Sequence, residues 1–174
     1  MNKFGPLWRA AALAGLLLSA GSLAAPAQAA QADIDLLKVY LGSWKGRGVL
    51  TGSNSETVVC RLSLSEGNQE KINYSGRCTL AGTNLSINGT LAYIDASQRY
   101  EAVMTSNATF SGVAVGRKQR GGVVFNLKER DTSDDQDLNI TATIALAGGA
   151  IKVDFNVVDN KTGDTIKASV PFSK

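Results

Sequence analysis

The chain contains no histidine and only two cysteines among its 174 residues, and its aromatic content is 6%. Without imidazole, Ser-His and Cys-His nucleophile pairs are unavailable, as are His-based zinc sites, and two cysteines alone do not complete a Cys-rich one. A long apolar run is missing too. The stretch from Ala10 to Leu23 is rich in Ala, Gly and Ser and falls short of the roughly 20 residues a spanning helix needs, so no stable membrane anchor is expected. Its flanks, Lys3 and Arg9 before it and Ala27-Gln28-Ala29 after it, instead form the charged, apolar and small-residue pattern of a secretory signal peptide. Residues 1–30 are assigned to that leader, residues 31–174 to a single domain, and the mature protein to the periplasm or the extracellular space.

Strong net charge is also lacking once the leader is set aside. Removing Lys3 and Arg9 leaves 16 basic against 15 acidic residues, a balance that calls for neither nucleic acid nor an anionic surface.

What the chain does have is alternation. Leu138, Ile140, Ala142, Ile144 and Leu146 alternate with Asn139, Thr141, Thr143 and Ala145, and after a turn at Ala147–Ala150 the pattern continues through Ile151, Val153, Phe155 and Val157. Residues two apart on a strand share a face, so pairing Leu146 with Ile151 puts every apolar residue on one side. The same parity runs through ten segments, roughly 44–50, 57–64, 71–80, 85–93, 99–105, 111–117, 123–129, 138–146, 151–157 and 166–172, joined by turn-forming residues. Closing such a meander removes the exposed edges it would otherwise carry. The expected fold is all-β, an antiparallel up-and-down barrel of about ten strands with a short N-terminal helix over Asp33–Leu41 lidding one end.

Several registers follow from the turns. A hairpin loop at Ser65–Glu70 sets Leu62 opposite Gly76, Leu64 opposite Tyr74 and Cys60 opposite Cys78, which predicts a disulfide on the buried face of an exported protein. Leu80 opposite Leu85 would align Gly76 with Gly89 and Tyr74 with Leu91. Tyr93 opposite Tyr100 brings Met104 to Gly89, and Val157 opposite Ile166 aligns Ile151 with Phe172. For segments 111–117 and 123–129, the partners of Val123, Phe125 and Leu127 are either Gly112, Ala114 and Gly116 or, with a bulge, Val113 and Val115.

Tyr74, Gly76, Gly89, Leu91, Tyr93, Tyr100 and Met104 thereby become neighbours on the inward face and candidates for lining a small apolar pocket, with the glycines supplying space. The competing interpretation is a filled core in which glycines mark bends. The inward face is read as carrying no Asp, Glu or Lys, hence no acid–base pair and no enzyme activity. Asp131, Asp134, Asp135 and Asp137 crowd one loop without EF-hand spacing and are read as a solvated turn rather than a calcium site. Arg117-Lys118-Gln119-Arg120 is read as a soluble hairpin tip.

Leu41-Gly42-Ser43-Trp44-Lys45-Gly46-Arg47-Gly48, a G-x-W following a short helix, resembles the start of calycin barrels: lipocalins, fatty-acid-binding proteins and, in this form and strand count, nitrobindin-like barrels. The segment from Leu91-Ala92-Tyr93 through Gln98-Arg99-Tyr100-Glu101-Ala102 is similar to a central hairpin of bacterial lipocalin-like domains. The resemblance implies that Trp44 plugs the closed end as a structural residue. Lipocalins usually pack an Arg beyond the last strand over this Trp, whereas here the chain reads Phe172-Ser173-Lys174. Nitrobindins hold haem through a His, which this chain lacks; ligation through Tyr or Met is the form left, and no cofactor is assigned. The leading function is thus an exported, non-catalytic binder of a small hydrophobic ligand. The alternative is a periplasmic protein-interaction module, an inhibitor or envelope scaffold with a filled core, whose protein partner the sequence does not identify.

Overall fold

The computed structural model describes residues 25–80, 82–107, 111–132 and 135–174. A helix, α1 (Ala25–Lys38), precedes ten strands: β1 (Gly42–Thr51), β2 (Ser55–Glu66), β3 (Ile72–Leu80), β4 (Thr83–Ile94), β5 (Arg99–Ser106), β6 (Ser111–Gln119), β7 (Gly122–Asp131), β8 (Leu138–Ala147), β9 (Ala150–Asp159) and β10 (Thr165–Ser173). Each strand pairs antiparallel with its sequence neighbours, and β10 returns to pair with β1, closing the barrel. Residues 1–24, most of the segment read as a leader, lie outside the described residues. No helix among the described residues is long and apolar enough to cross a membrane.

The helix runs further toward the N-terminus than Asp33–Leu41, through alanines of high helix propensity, and stops earlier. It stops where the Tyr40 carbonyl turns to accept a hydrogen bond from the Trp44 indole, Nε1 to O 2.9 Å, and is thereby withdrawn from a continuing helical ladder.

Four of the expected registers are present as derived: Cys60 opposite Cys78, Tyr93 opposite Tyr100, Leu146 opposite Ile151, and Ile166 opposite Val157. One is displaced. Leu80 pairs with Thr83 instead of Leu85, so Tyr74 faces Gly89 rather than Leu91, and Gly76 faces Ile87 rather than Gly89. The cause is a two-residue reversal that includes Gly82 at φ +74, a conformation glycine adopts without a Cβ clash. A slip of two keeps the parity, so every inward residue stays inward. The open choice between β6 and β7 resolves to the unbulged register, with Gly116 opposite Phe125, while Val113 turns outward at 46% exposure.

The core runs through the barrel from Tyr40 and Trp44 at the helix end through Ile72, Leu91, Tyr100, Ala102, Phe125 and Leu146. The Cys60–Cys78 disulfide forms across β2 and β3, with a sequence separation of 18. Closing a loop of that size contributes about 3 kcal/mol in the chain-entropy account. A third feature recurs around the wall: an aromatic ring stands directly opposite a glycine and lies over it. Tyr74 covers Gly89, Phe125 covers Gly116, and Phe172 covers Gly46. Each glycine lets its strand bend inward, and the facing ring fills the volume a side chain would otherwise take.

Candidate functional site

The two ends of the barrel differ in chemistry. At the first, α1 is clamped down by Asp33. Its Oδ1 accepts hydrogen bonds from the Tyr100 hydroxyl at 2.6 Å and from Lys118 Nζ at 3.0 Å, and Tyr93 also bonds to this carboxylate. Burial pushes the Asp33 pKa up, but the hydrogen bonds from Tyr100 and Lys118 and the lysine charge outweigh it, leaving it below the ordinary 3.8. Burial, with the adjacent Asp33 carboxylate, pushes the Tyr100 phenol well above its ordinary value, so Tyr100 stays a donor. Arg117 to Arg120 are exposed, as expected of a soluble hairpin tip, and Lys118 also ties that tip to the helix. Beside this clamp Trp44, 2% exposed, stacks on Tyr40 with ring centroids 6.3 Å apart, and Lys174 Nζ lies 5.0 Å from the centre of its ring.

Asp33→Ala should lower stability by about 1–3 kcal/mol, the cost of leaving a buried donor unpaired. The loss should appear first as faster amide exchange in α1, with strand amides protected. In the parent, a lowered carboxyl pKa means the clamp contributes above pH 3.8 and is lost as pH falls through the depressed value. Unchanged exchange in α1 of the variant, or a clamp that strengthens on acidification, would refute this role.

The seven pocket candidates fall into neighbouring cross-strand rows. Tyr93 and Tyr100 pair at the helix end, with centroids 5.1 Å apart, and serve the Asp33 clamp. Leu91 is buried in the next row between Ile72 and Ala102. Tyr74, Gly89 and Met104 form the row beyond it, and Gly76 sits one row further on, between Leu62 and Ile87. The space beside Gly89 is already taken: a Cβ there would stand 1.9 Å from the Val103 carbonyl oxygen and 2.6 Å from the Tyr74 hydroxyl, which itself donates to Val103 O at 3.0 Å. At Gly76 the nearest atom to such a Cβ is 3.5 Å away.

The far end is open and apolar. A continuous inward row crosses five strands there, Ala142, Phe155, Ala168, Leu50 and Glu56, each directly opposite the next. All five are half-buried, and Ile166 at the same rim is 45% exposed. Two alanines flank Phe155, so only small side chains stand beside its ring on this stretch of wall.

This end also corrects the expectation of an uncharged inner face. Glu56 and Glu129 share the inward parity of β2 and β7, and Lys118 that of β6 at the helix end. The Glu56 Oε2 atom is buried without a hydrogen-bond partner. Glu129 continues Val123, Phe125 and Leu127 by one step, and Glu56 precedes Val58 by one step, so the parity itself carried the signal. Around the rim, Asp137 is held by Arg130 Nε and Nη2, each at 2.8 Å, and by Asn160 at 2.9 Å, and Lys161 bonds Asp135 at 2.6 Å. The Arg130 hydrogen bond, with that of Asn160, draws the Asp137 pKa down to about 2. These carboxylates are engaged with protein cations, and no group of three or more metal-ligating side chains occurs among the described residues. Asp134 lies outside the described residues.

No protein-family model matches the sequence, and no curated protein is significantly similar to it. Among solved structures, the crystal structure of Rv2717c from M. tuberculosis matches with a TM-score of 0.59 at 14% identity, over 81% of this chain and 97% of that one. The S-type phycobiliprotein lyase CPES from Guillardia theta gives 0.47 at 12% identity, over 79% and 89%. A redesigned β-barrel, mFAP0, bound to DFHBI gives 0.38 at 9% identity, over 76% and 97%. At these identities the likeness speaks to architecture alone, and the architecture is a closed antiparallel barrel of ten strands.

Proposed function

We propose that this protein is an exported, non-catalytic barrel of the lipocalin-like or nitrobindin-like kind that takes up a small hydrophobic molecule through the end opposite α1. The observation that carries this reading is the asymmetry of the interior. Inward residues at the helix end, among them Trp44, Ile72, Tyr100 and Leu146, are buried, while Leu50, Leu80, Leu85, Phe155 and Val157 at the other end are half-exposed although they face inward. Apolar surface left accessible inside a concave wall is what a ligand of matching polarity covers. Export is supported by the leader pattern and by the disulfide. The non-catalytic reading is supported by the lack of any histidine in the chain and by the separation of Glu56 from Glu129, whose strands β2 and β7 stand five places apart in a ring of ten.

The rival is an interaction module with a filled interior, favoured by the rings that occupy the space beside Gly89, Gly116 and Gly46. Binding of an apolar fluorescent probe separates the two. The parent should bind it, and Ala168→Phe, which adds a ring beside Phe155, should weaken binding at least tenfold without loss of fold. No binding to the parent, or undiminished binding to the folded variant, would overturn the open-end site and leave the interaction module.

A further inference from the structure

The near-neutral total charge conceals a strong separation of charge on the outside of the barrel. Parity and register place Lys45, Arg61 and Arg77 directly opposite one another on β1, β2 and β3, all exposed and pointing outward. Arg47 adds a fourth exposed cation two residues along β1. Among the described residues none of the four makes an ion pair. The outward positions of β10 and β1 to β4 carry no carboxylate at all. Like charges set directly opposite destabilise a sheet, so this row works against folding, and no carboxylate pairs with it among the described residues.

The row lies in a depression. A groove of about 630 Å³ crosses β1 to β4, lined by Lys45, Arg61 and Arg77 together with Ser63, Ser75 and Asn88, and a second of about 530 Å³, which Arg47 lines, crosses β10 to β2. The two share Lys45 and Arg61, so they form one trough across five strands, roughly 19 Å at the usual strand spacing.

We infer that this trough binds an acidic polysaccharide chain laid across the strands. Its sulfate or carboxylate groups meet Lys45, Arg61 and Arg77, and its hydroxyls bond to the serines and Asn88 beside them. Charge and hydrogen-bonding complementarity both select this occupant. A single-stranded nucleic acid would want aromatic platforms, and no aromatic residue points outward on β1 to β4. A membrane is a plane, and it does not reach together cations that are recessed in a trough and fan around roughly 70° of the ring. A flexible chain follows that curvature. A protein partner would need a buried aromatic or large apolar anchor, and the only apolar side chains standing outward along the trough are Val59 and Pro171, amid Lys45, Arg47, Arg61, Arg77 and serines.

The test is titration of the full protein with a short dextran sulfate, beside uncharged dextran, a single-stranded oligonucleotide of equal charge and anionic phospholipid vesicles. Dextran sulfate should bind best, with affinity falling as salt rises. Arg61→Glu should weaken it at least tenfold while leaving Tm equal to or above the parent's, because a glutamate there pairs with Lys45 and Arg77. Lys128→Glu, outward on β7 across the barrel, should leave binding unchanged. Absence of dextran sulfate binding at low salt, tighter binding of the oligonucleotide or vesicles, retained binding in Arg61→Glu, or equal loss in Lys128→Glu would each overturn the inference.

Discussion

Gly89→Leu is expected to prevent folding, and Gly89→Ala to cost at least about 4 kcal/mol, at the extreme of what single substitutions do. The first atom of any side chain at position 89 would stand 1.9 Å from the Val103 carbonyl oxygen and 2.6 Å from the Tyr74 hydroxyl. The tyrosine tip can swing aside. The carbonyl cannot, since it belongs to β5, whose ladder with β4 runs from Ile87 to Ile94, and moving it would break pairs on both sides of Gly89. A loss of about 4 kcal/mol is between roughly a quarter and four-fifths of the 5–15 kcal/mol that holds a domain of this size together. Gly76→Ala provides the contrast, since its nearest neighbour would be 3.5 Å away, an ordinary contact, and its cost should stay below about 1 kcal/mol. Urea unfolding followed by circular dichroism reads both. A Gly89→Ala variant as stable as Gly76→Ala would mean that β4 and β5 do not approach as closely as described here.

The same glycine marks where the sequence stops being informative. Parity is a property of each strand, so the inward face, the disulfide and the closure of the meander follow from alternation and from turns of ordinary length. Gly89 is on the inward face by that rule, but whether an inward glycine opens space or closes it depends on what stands opposite. That is set by register. A two-residue reversal at Gly82 in place of a longer turn moved Tyr74 from Leu91 to Gly89, turning presumed room into a tyrosine packed on a bend. Parity is blind to a slip of two.

The functional residues followed the same pattern. Tyr93 and Tyr100 were legible as inward neighbours, yet their hydroxyls point at Asp33, a residue 67 positions before Tyr100, and no local periodicity encodes that contact. Glu56 and Glu129 were legible by one more step of alternation at the strand ends, where boundaries are least defined. The cation row of β1 to β3 was hidden for another reason. Summed charge says nothing about which charges share a wall, and only the register from Lys45 through Arg61 to Arg77 aligns them.

Trp44→Ala should destabilise the fold by about 3–5 kcal/mol, the usual loss for a large buried aromatic. The ring is almost wholly enclosed, and four separate attachments converge on it. It fills the core where the barrel closes, stacks on Tyr40, accepts Lys174 Nζ over its face at 5.0 Å, and donates Nε1–H to the Tyr40 carbonyl at 2.9 Å. Truncation removes all four and strands the carbonyl that ends α1, so the helix should loosen along with the barrel end. Two milder variants divide the total. Trp44→Phe keeps most of the ring and loses the hydrogen bond, at about 1–2 kcal/mol, and Lys174→Ala removes the cation alone, at about 0.5–1 kcal/mol. If Trp44→Ala cost less than about 1 kcal/mol, as at surface positions, the indole would not be the plug of this end. If Trp44→Phe cost as much as Trp44→Ala, the hydrogen bond to Tyr40, and not the packed ring, would be what joins helix to barrel.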